Sequence, residues 1–317
     1  MLLPFRLLAC GLILAATAAP HMARAEQVPQ TRVRVASVVS AAWLPLWIAK
    51  DTGLFEAHGL DVEITTVQNV STVLGALGRQ FDVSGCTPID IIKARLRKLD
   101  VVGIAGNTQE LSQNPQMRLV ANANGPVRSI ADLKGQVVAT PSLNGVIHVA
   151  TLNALRQHGV DPRDVAFQEM AFANMGDQLA AGHVAAAEIV EPFASAPMKA
   201  PVKSLGNPML SVGDPVILTC WMADGRWARS HRDAVSAWRA ALDDAIAYIG
   251  KEDKAARAVL MKWTRLPEAV AGKVRLPAYT TRISDSDIDT WTKASASVGA
   301  IRQIPSAAGS TLSYTQP

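Results

Sequence analysis

Small polar side chains and one tryptophan recur in this sequence directly after its strand-like runs. Ser40, Ala42 and Trp43 follow the first run, and Thr87 follows FDVSGC. Asn107, Thr108 and Gln109 follow VVGIAG, while Ser142, Asn144 and His148 follow VVAT. Ala173, Asn174 and Met175 come after VAFQEM, and Glu191 comes after AAAEIV. The chemistry this set offers is neutral hydrogen bonding, one aromatic face and several helix N-termini, whose unpaired N–H groups favour anions. That suits holding a small organic molecule rather than transforming it. The candidate ligand contacts are therefore Ala42, Trp43, Thr87, Asn107, Gln109, Ser142, Asn144, His148, Asn174, Met175 and Glu191. No catalytic residue and no cofactor is expected, because GxSxG, HExxH, P-loop and paired CxxC patterns are all missing.

Each candidate has a competing structural role. Trp43 serves either as core or as a wall of something that opens beside it. Thr87 and Ser142 are good helix N-caps without any ligand. Asn144 lies at a helix start and is explained equally by solvation. His148 sits among Val146, Ile147, Val149 and Ala150, so a core histidine comes first and a ligand contact second. Glu191 precedes Pro192 in apolar surroundings, and a buried carboxylate is costly without a partner. Its partner is either within the fold or a donor on the ligand.

The elements that must position these residues alternate. Residues 33–36 and 60–64 read as strands around a helix that starts at Pro45, a favourable first helical residue, and stops at Gly53 and Gly59. Helical spacing recurs at 70–80 and 88–99, with strands at 81–86 and 101–106. A strand at 118–123, a short helix at 129–136 and a strand at 137–140 come next. A helix over 142–159, a strand at 165–170, a helix at 175–183 and buried strands at 185–192 and 215–222 complete the alternation. From His231 onward the pattern is mostly helical. Alternating strands and helices predict an α/β fold with mostly parallel sheets. In such sheets ligands bind beyond the carboxyl ends of the strands, which is where the candidates lie. GIAGN (103–107) lacks the third glycine of a dinucleotide fingerprint.

The 317 residues are 49% hydrophobic and 18% charged, enough for a large core and two domains. Residues 1–25 carry Arg6, an apolar run from Leu7 to Ala19 and the small-x-small ending Ala23-Arg24-Ala25. That is the pattern of a secretory signal peptide cleaved before Glu26, so the expected location is periplasmic. Cys10 in LLAC resembles a lipoprotein site only faintly, because the apolar run continues past it, and lipidation is not expected. Without Arg6 and Arg24 the 31 basic side chains fall to 29 against 27 acidic ones, a net of +2. The one basic cluster, KARLRK at 93–98, reads as a solvated helix face, and nucleic acid is excluded as a partner. The six histidines have no metal-ligand spacing. Cys86 and Cys220 each end an apolar run and read as buried thiols; a disulfide is the alternative that export permits.

Four segments in order resemble the periplasmic substrate-binding proteins of ABC importers of the sulfonate, taurine, nitrate and thiamine-precursor group, the NMT1/THI5-like family. They are LPLWIAKDTGLFEAHGLDVEI, LGALGRQFDVSGCTP, IADLKGQVVAT and DQLAAGHVAAAEIVEPFAS. The helical ending from HRDAVSAW to VGAIRQIP is also similar, so the resemblance runs over 32–306. Ala186-Ala187 stands where the family more often has Asp-Ala, and no cysteine cluster of the pyrimidine-synthase branch is present.

The resemblance implies a two-lobed, type II periplasmic-binding-protein fold. Lobe one would be 32–118 plus 219–317, lobe two 119–218, with hinges near Arg118–Ala121 and Ile217–Cys220. It further implies a monomer that closes on a small-molecule ligand and delivers it to a membrane permease. Helix N-termini favour a sulfonate, taurine or other small organic anion. Glu191 and the Asn/Gln set favour instead a pyrimidine-like ring that donates hydrogen bonds. An exported enzyme using the same cleft would have to rely on His148 and Glu191. Under the resemblance Trp43→Ala is expected to weaken binding far more than stability.

Overall fold

The structure, a computed structural model, describes residues 30–67, 70–195 and 197–312. The expected signal peptide (residues 1–25) and Cys10 lie outside the described residues. In chain order the first elements are β1 (Thr31–Ser37), α1 (Leu44–Asp51), α2 (Leu54–Ala57), β2 (Leu60–Thr66), β3 (Val83–Cys86), α3 (Pro88–Leu96) and β4 (Val101–Glu110). Next come β5 (Met117–Asn122), β6 (Val137–Thr140), α4 (Val146–Gln157), β7 (Ala166–Glu169), α5 (Phe172–Ala180), β8 (Ala186–Val190) and β9 (Val202–Gly206). The chain ends with β10 (Val216–Asp224), α6 (Gly225–Ser230), α7 (Arg232–Lys251), α8 (Asp253–Thr264), α9 (Glu268–Ala271), β11 (Ala278–Tyr279) and α10 (Asp285–Ser297).

The strands form two sheets. Sheet one has the order β11-β4-β10-β3-β1-β2 and sheet two the order β7-β6-β8-β5-β9. The expected strand–helix alternation is present, but the sheets are mixed rather than mostly parallel. β1 pairs parallel with β2 and β3, while β10 runs antiparallel to β3 and β4. In sheet two β6 pairs parallel with β7 and β8, and β5 runs antiparallel to β8 and β9. Besides the short β11, antiparallel to β4, the reversed members are β5 and β10, the strands by which the chain enters sheet two and returns to sheet one. They read as alternating apolar runs like their neighbours, so direction is not visible in periodicity.

The helices cover the sheets in layers. α1, α7 and α8 bury Trp47, Trp238 and Leu260 against one face of sheet one, and α3 and α10 bury Ile89, Ile92 and Trp291 against the other. α7 shows why: Ala234, Val235, Trp238, Ala241, Leu242, Ala245 and Ile249 fall on one stripe at three- and four-residue spacing. Each fully buried aliphatic or aromatic side chain of such a stripe stabilises the fold by about 1.5–3 kcal/mol. Leu152 and Leu155 of α4 and Met175 and Leu179 of α5 fill the two faces of sheet two.

Two segments cross between the sheets, 111–116 and 207–215. The positions expected as hinges, Arg118–Ala121 and Ile217–Cys220, lie within β5 and β10. The crossings are tied together at their base. The Oε1 of Glu110 accepts from the Gln116 N–H at 2.8 Å and from Asn207 Nδ2 at 2.6 Å. Asp214 Oδ1 accepts from the Ser112 N–H at 3.1 Å.

Two helices differ from expectation. The run at 70–80 makes a 3₁₀ helix over Val70–Gly75 and then turns, with Gly78 at φ +78° where only glycine sits without strain. The helix expected from Ser142 starts at Val146, because Asn144 adopts φ +57° and Gly145 takes the N-cap position.

Candidate functional site

A cavity of about 400 Å³ opens between the two sheets. Sheet one contributes the loop after β1 (Val38–Ser40, Ala42, Trp43), the start of α3 (Thr87, Asp90) and Thr219. Sheet two contributes Ser142, the first residues of α4 and α5, Glu191 and Phe193. Gln116 of the first crossing segment and Pro277 close the remaining sides. The volume is in the range of small-molecule sites.

The sheet-one wall is built from groups that satisfy one another. Asn107 Nδ2 donates to the Ala42 carbonyl at 2.8 Å and to Thr219 Oγ1 at 2.9 Å, and Thr219 Oγ1 is 2.6 Å from Thr108 Oγ1. The Tyr279 hydroxyl donates to the Ala41 carbonyl at 2.7 Å. Between them Asn107 and Tyr279 pin the short 3₁₀ turn Ala41–Trp43. The Trp43 indole lies on Gly85, where an added Cβ would stand 2.5 Å from the ring. It meets Trp221 edge-on at 4.7 Å, Trp221 meets Trp238 at 5.1 Å, and Trp238 stacks on Phe55 at 4.9 Å. An aromatic column thus runs from the cavity into the core. Thr87 is held in a capping box, donating to Asp90 Oδ2 at 2.7 Å while its own N–H reaches the same oxygen at 2.8 Å.

The sheet-two wall leaves groups unused. α4 and α5 begin at Gly145 and Ala171 with no side-chain cap, and their first turns line the cavity. Both therefore present unpaired N–H groups and a positive dipole end. Glu191 is 4% exposed; its Oε1 accepts from Ser195 Oγ at 2.9 Å and lies 4.0 Å from Arg118. Its Oε2 has no hydrogen-bond partner among the described residues. Burial raises the Glu191 pKa, offset by Ser195 and Arg118. Phe172 and Phe193 stack at 5.7 Å on the same wall. Among the described residues, no lysine, arginine or histidine lines the cavity, whereas Asp90 and Glu191 do.

Of the sequence-predicted contacts, Ala42, Trp43, Thr87, Ser142 and Glu191 meet at this cavity. The other six do not line it. Asn107 is buried behind the wall that it holds, and Gln109 lies in β4, opposite Ile217 and Ala278. Both were expected in a loop, but β4 runs on to Glu110. Asn144 and Asn174 are exposed elsewhere, and Met175 is fully buried in the core of sheet two. His148 packs edge-on to Phe167 at 4.4 Å, and its Nδ1 accepts the Asn144 N–H at 2.9 Å. Burial lowers its pKa to about 4, so it is a neutral core histidine. Trp43, at 2% exposure, is core and wall together; its removal must cost substantial stability, whereas the sequence pointed to an effect mainly on binding. Sequence reasoning missed Phe172, Phe193, Gln116 and Pro277. The phenylalanines carry a signal, since each adjoins a predicted strand end. Nothing local marks Gln116 or Pro277.

The NMT1/THI5-like family profile matches residues 40–256, more than half of the chain. The chain belongs to the NMT1/THI5-like family. YtlA of Bacillus subtilis (strain 168), provisionally described as a binding protein, is 27% identical over 212 residues, covering 64% of this chain and 61% of that protein. The riboflavin-binding protein RibY of Chloroflexus aurantiacus is 27% identical over 164 residues, 50% of this chain and 45% of that protein. The chain thus spans less than two thirds of the length of either relative. Among solved structures, the periplasmic aliphatic sulphonate binding protein SsuA from Escherichia coli superimposes with a TM-score of 0.72 at 19% identity, covering 88% of this chain and 96% of that one. The α/β architecture of two mixed sheets is the periplasmic-binding-protein fold.

Proposed function

We propose that this NMT1/THI5-like protein is an exported solute receptor of an ABC importer. Its lobes, 32–118 plus 219–317 and 119–218, close on a small organic ligand and hand it to a membrane permease. Ligand that touches both lobes only when they are closed stabilises that state by its differential affinity. The crossings at 111–116 and 207–215 are where such a motion bends. The chain acts as a monomer and carries out no chemistry on the ligand.

The ligand that the wall supports best has a planar, largely apolar body and a hydrogen-bond donor. The observation that carries this reading is Glu191, buried in the cavity with an Oε2 that has no partner, and with no basic side chain lining the space, among the described residues. A donor on the ligand satisfies that oxygen, the stacked Phe172 and Phe193 offer a face to a ring, and the uncapped starts of α4 and α5 receive its acceptors. A pyrimidine- or flavin-type heterocycle has all three features. The alternative is a small organic anion such as a sulfonate or carboxylate, favoured by the same two helix N-termini. Burial shifts the Glu191 pKa upward, the direction that eases repulsion of such an anion.

A thermal-shift screen tests both readings, with pyrimidines and flavins in one arm and alkanesulfonates and aromatic carboxylates in the other. Binding to the native state raises the midpoint in proportion to the logarithm of ligand concentration over its dissociation constant. Heterocycles are expected to shift the parent strongly and Glu191→Gln weakly. A shift confined to the anions, equal in both proteins, overturns the heterocycle reading. A ligand recovered chemically altered after long incubation overturns the receptor reading.

A further inference from the structure

Cys86 and Cys220 stand directly opposite one another on the antiparallel strands β3 and β10. Both are fully buried, and their Sγ atoms are 3.0 Å apart. They have no part in the ligand reading beyond Cys86 backing the cavity next to Thr87. Facing residues of an antiparallel pair are about 4.5–5.5 Å apart at Cα, inside the ~4.4–6.8 Å that a disulfide spans. The backbone is therefore placed for a bond without moving either strand.

We propose that Cys86 and Cys220 form a cross-strand disulfide in the exported protein, made by exchange with a disulfide donor. The proposal rests on the export proposed above, since thiols of reducing compartments stay reduced. One cysteine thiolate attacks a sulfur of the donor R–S–S–R, forming a mixed disulfide and releasing R–S⁻. The second thiolate attacks the protein sulfur of that mixed disulfide, closing the Cys86–Cys220 bond and releasing the other R–S⁻. The two thiol protons end on two R–SH, so the donor is reduced by the two electrons the protein loses. Burial holds the Cys86 thiol well above its ordinary pKa, leaving little thiolate in the folded state. Exchange therefore belongs to folding, as β3 and β10 pair, and the finished bond is shielded from later reduction.

The position of the bond gives it a structural consequence. The cysteines are 134 positions apart, and all five strands of sheet two lie between them. The disulfide would close sheet one where the chain leaves it and comes back, independently of how sheet two moves.

The test uses the exported chain from Glu26 onward, whose two cysteines are Cys86 and Cys220, reduced, unfolded in denaturant and refolded in a mixture of oxidised and reduced glutathione. Free thiols are then counted by maleimide addition under denaturing conditions with mass spectrometry. The expected product has no free Cys86 or Cys220 thiol, no retained glutathione and a mass lower by two hydrogens. Adding dithiothreitol on unfolding should lower the midpoint by roughly 5–15 °C, an effect missing from Cys86→Ser and Cys220→Ser. Should either variant fail to fold, the thiol count on the parent decides alone. Two reactive thiols after refolding, or a persistent glutathione adduct, overturns the pairing itself. The same count on protein trapped by acid in producing cells separates the two premises. A bond that forms in vitro while both thiols stay free in cells overturns export, and with it the proposal.

Discussion

The two walls of the cavity are made of similar residue types and differ in how those residues are used. On the sheet-one side, Asn107, Thr108, Thr219, Thr87, Asp90 and Tyr279 bond to each other or to the turn that carries Trp43. On the sheet-two side, the helix starts at Gly145 and Ala171 lack caps and Glu191 keeps a free oxygen. A satisfied wall is rigid and contributes shape. An unsatisfied one has donors and acceptors still available to a ligand, and the desolvation of those groups is what a correct ligand offsets. On the proposed reading, selectivity belongs to the sheet-two wall and stability to the sheet-one wall.

The largest expected effect is on stability. Trp43→Ala removes a buried indole from the aromatic column and should cost about 3–5 kcal/mol, read from urea midpoints, with binding lost only because the wall collapses. A normal midpoint with abolished binding would show that the sheet-one wall is itself selective.

Next comes pH dependence within sheet two and the helix on it. Burial raises the Glu188 pKa from 4.5 to about 7, although Thr140 Oγ1 donates to it at 2.6 Å. The folded state then holds a proton that the unfolded chain releases, so this group's contribution is full below pH 4.5 and lost as pH rises to about 7. His148 has the opposite sign: its pKa falls from 6.5 to about 4, so its contribution is full above pH 6.5 and lost as pH drops to about 4. Each is worth about 3 kcal/mol at most, and across the shared window they oppose. Glu188→Gln should therefore make stability rise from pH 4 to 6.5, and His148→Gln should make it fall from pH 4.5 to 7. Equal slopes in the two variants would contradict the assignment.

Asn107→Ala should cost about 1–3 kcal/mol by leaving the Ala42 carbonyl and Thr219 without their donor, with affinity falling less than tenfold. Smallest is Thr87→Val, which opens one capping box for about 1 kcal/mol and should leave affinity within a few-fold of the parent.

Much of this arrangement was legible in the sequence. Strand ends followed by helix starts pointed to Ala42, Trp43, Thr87, Ser142 and Glu191, all of which reach the cavity. The misses have physical causes. Pairing with β10 keeps β4 extended to Glu110, so Asn107 and Gln109 stay in the sheet. α5 starts at Phe172, earlier than the spacing indicates, which turns Met175 into the core and brings Phe172 to the cavity. Gln116 and Pro277 are brought in by a crossing segment and by the loop before β11, and no local pattern encodes that approach. Direction within the sheets was equally hidden, because burial on both faces makes parallel and antiparallel strands look alike.

The central claim is that the sheet-two wall chooses the ligand. Its most direct test is the dissociation constant of the best ligand from the screen, by titration calorimetry, for the parent, Glu191→Gln and Thr87→Val. Removing the charge from the unpartnered acceptor of the sheet-two wall should weaken binding roughly tenfold to a hundredfold, while Thr87→Val changes it by less than about threefold with the unfolding midpoint lowered. Equal losses in the two variants, or a larger loss in Thr87→Val, would contradict the account.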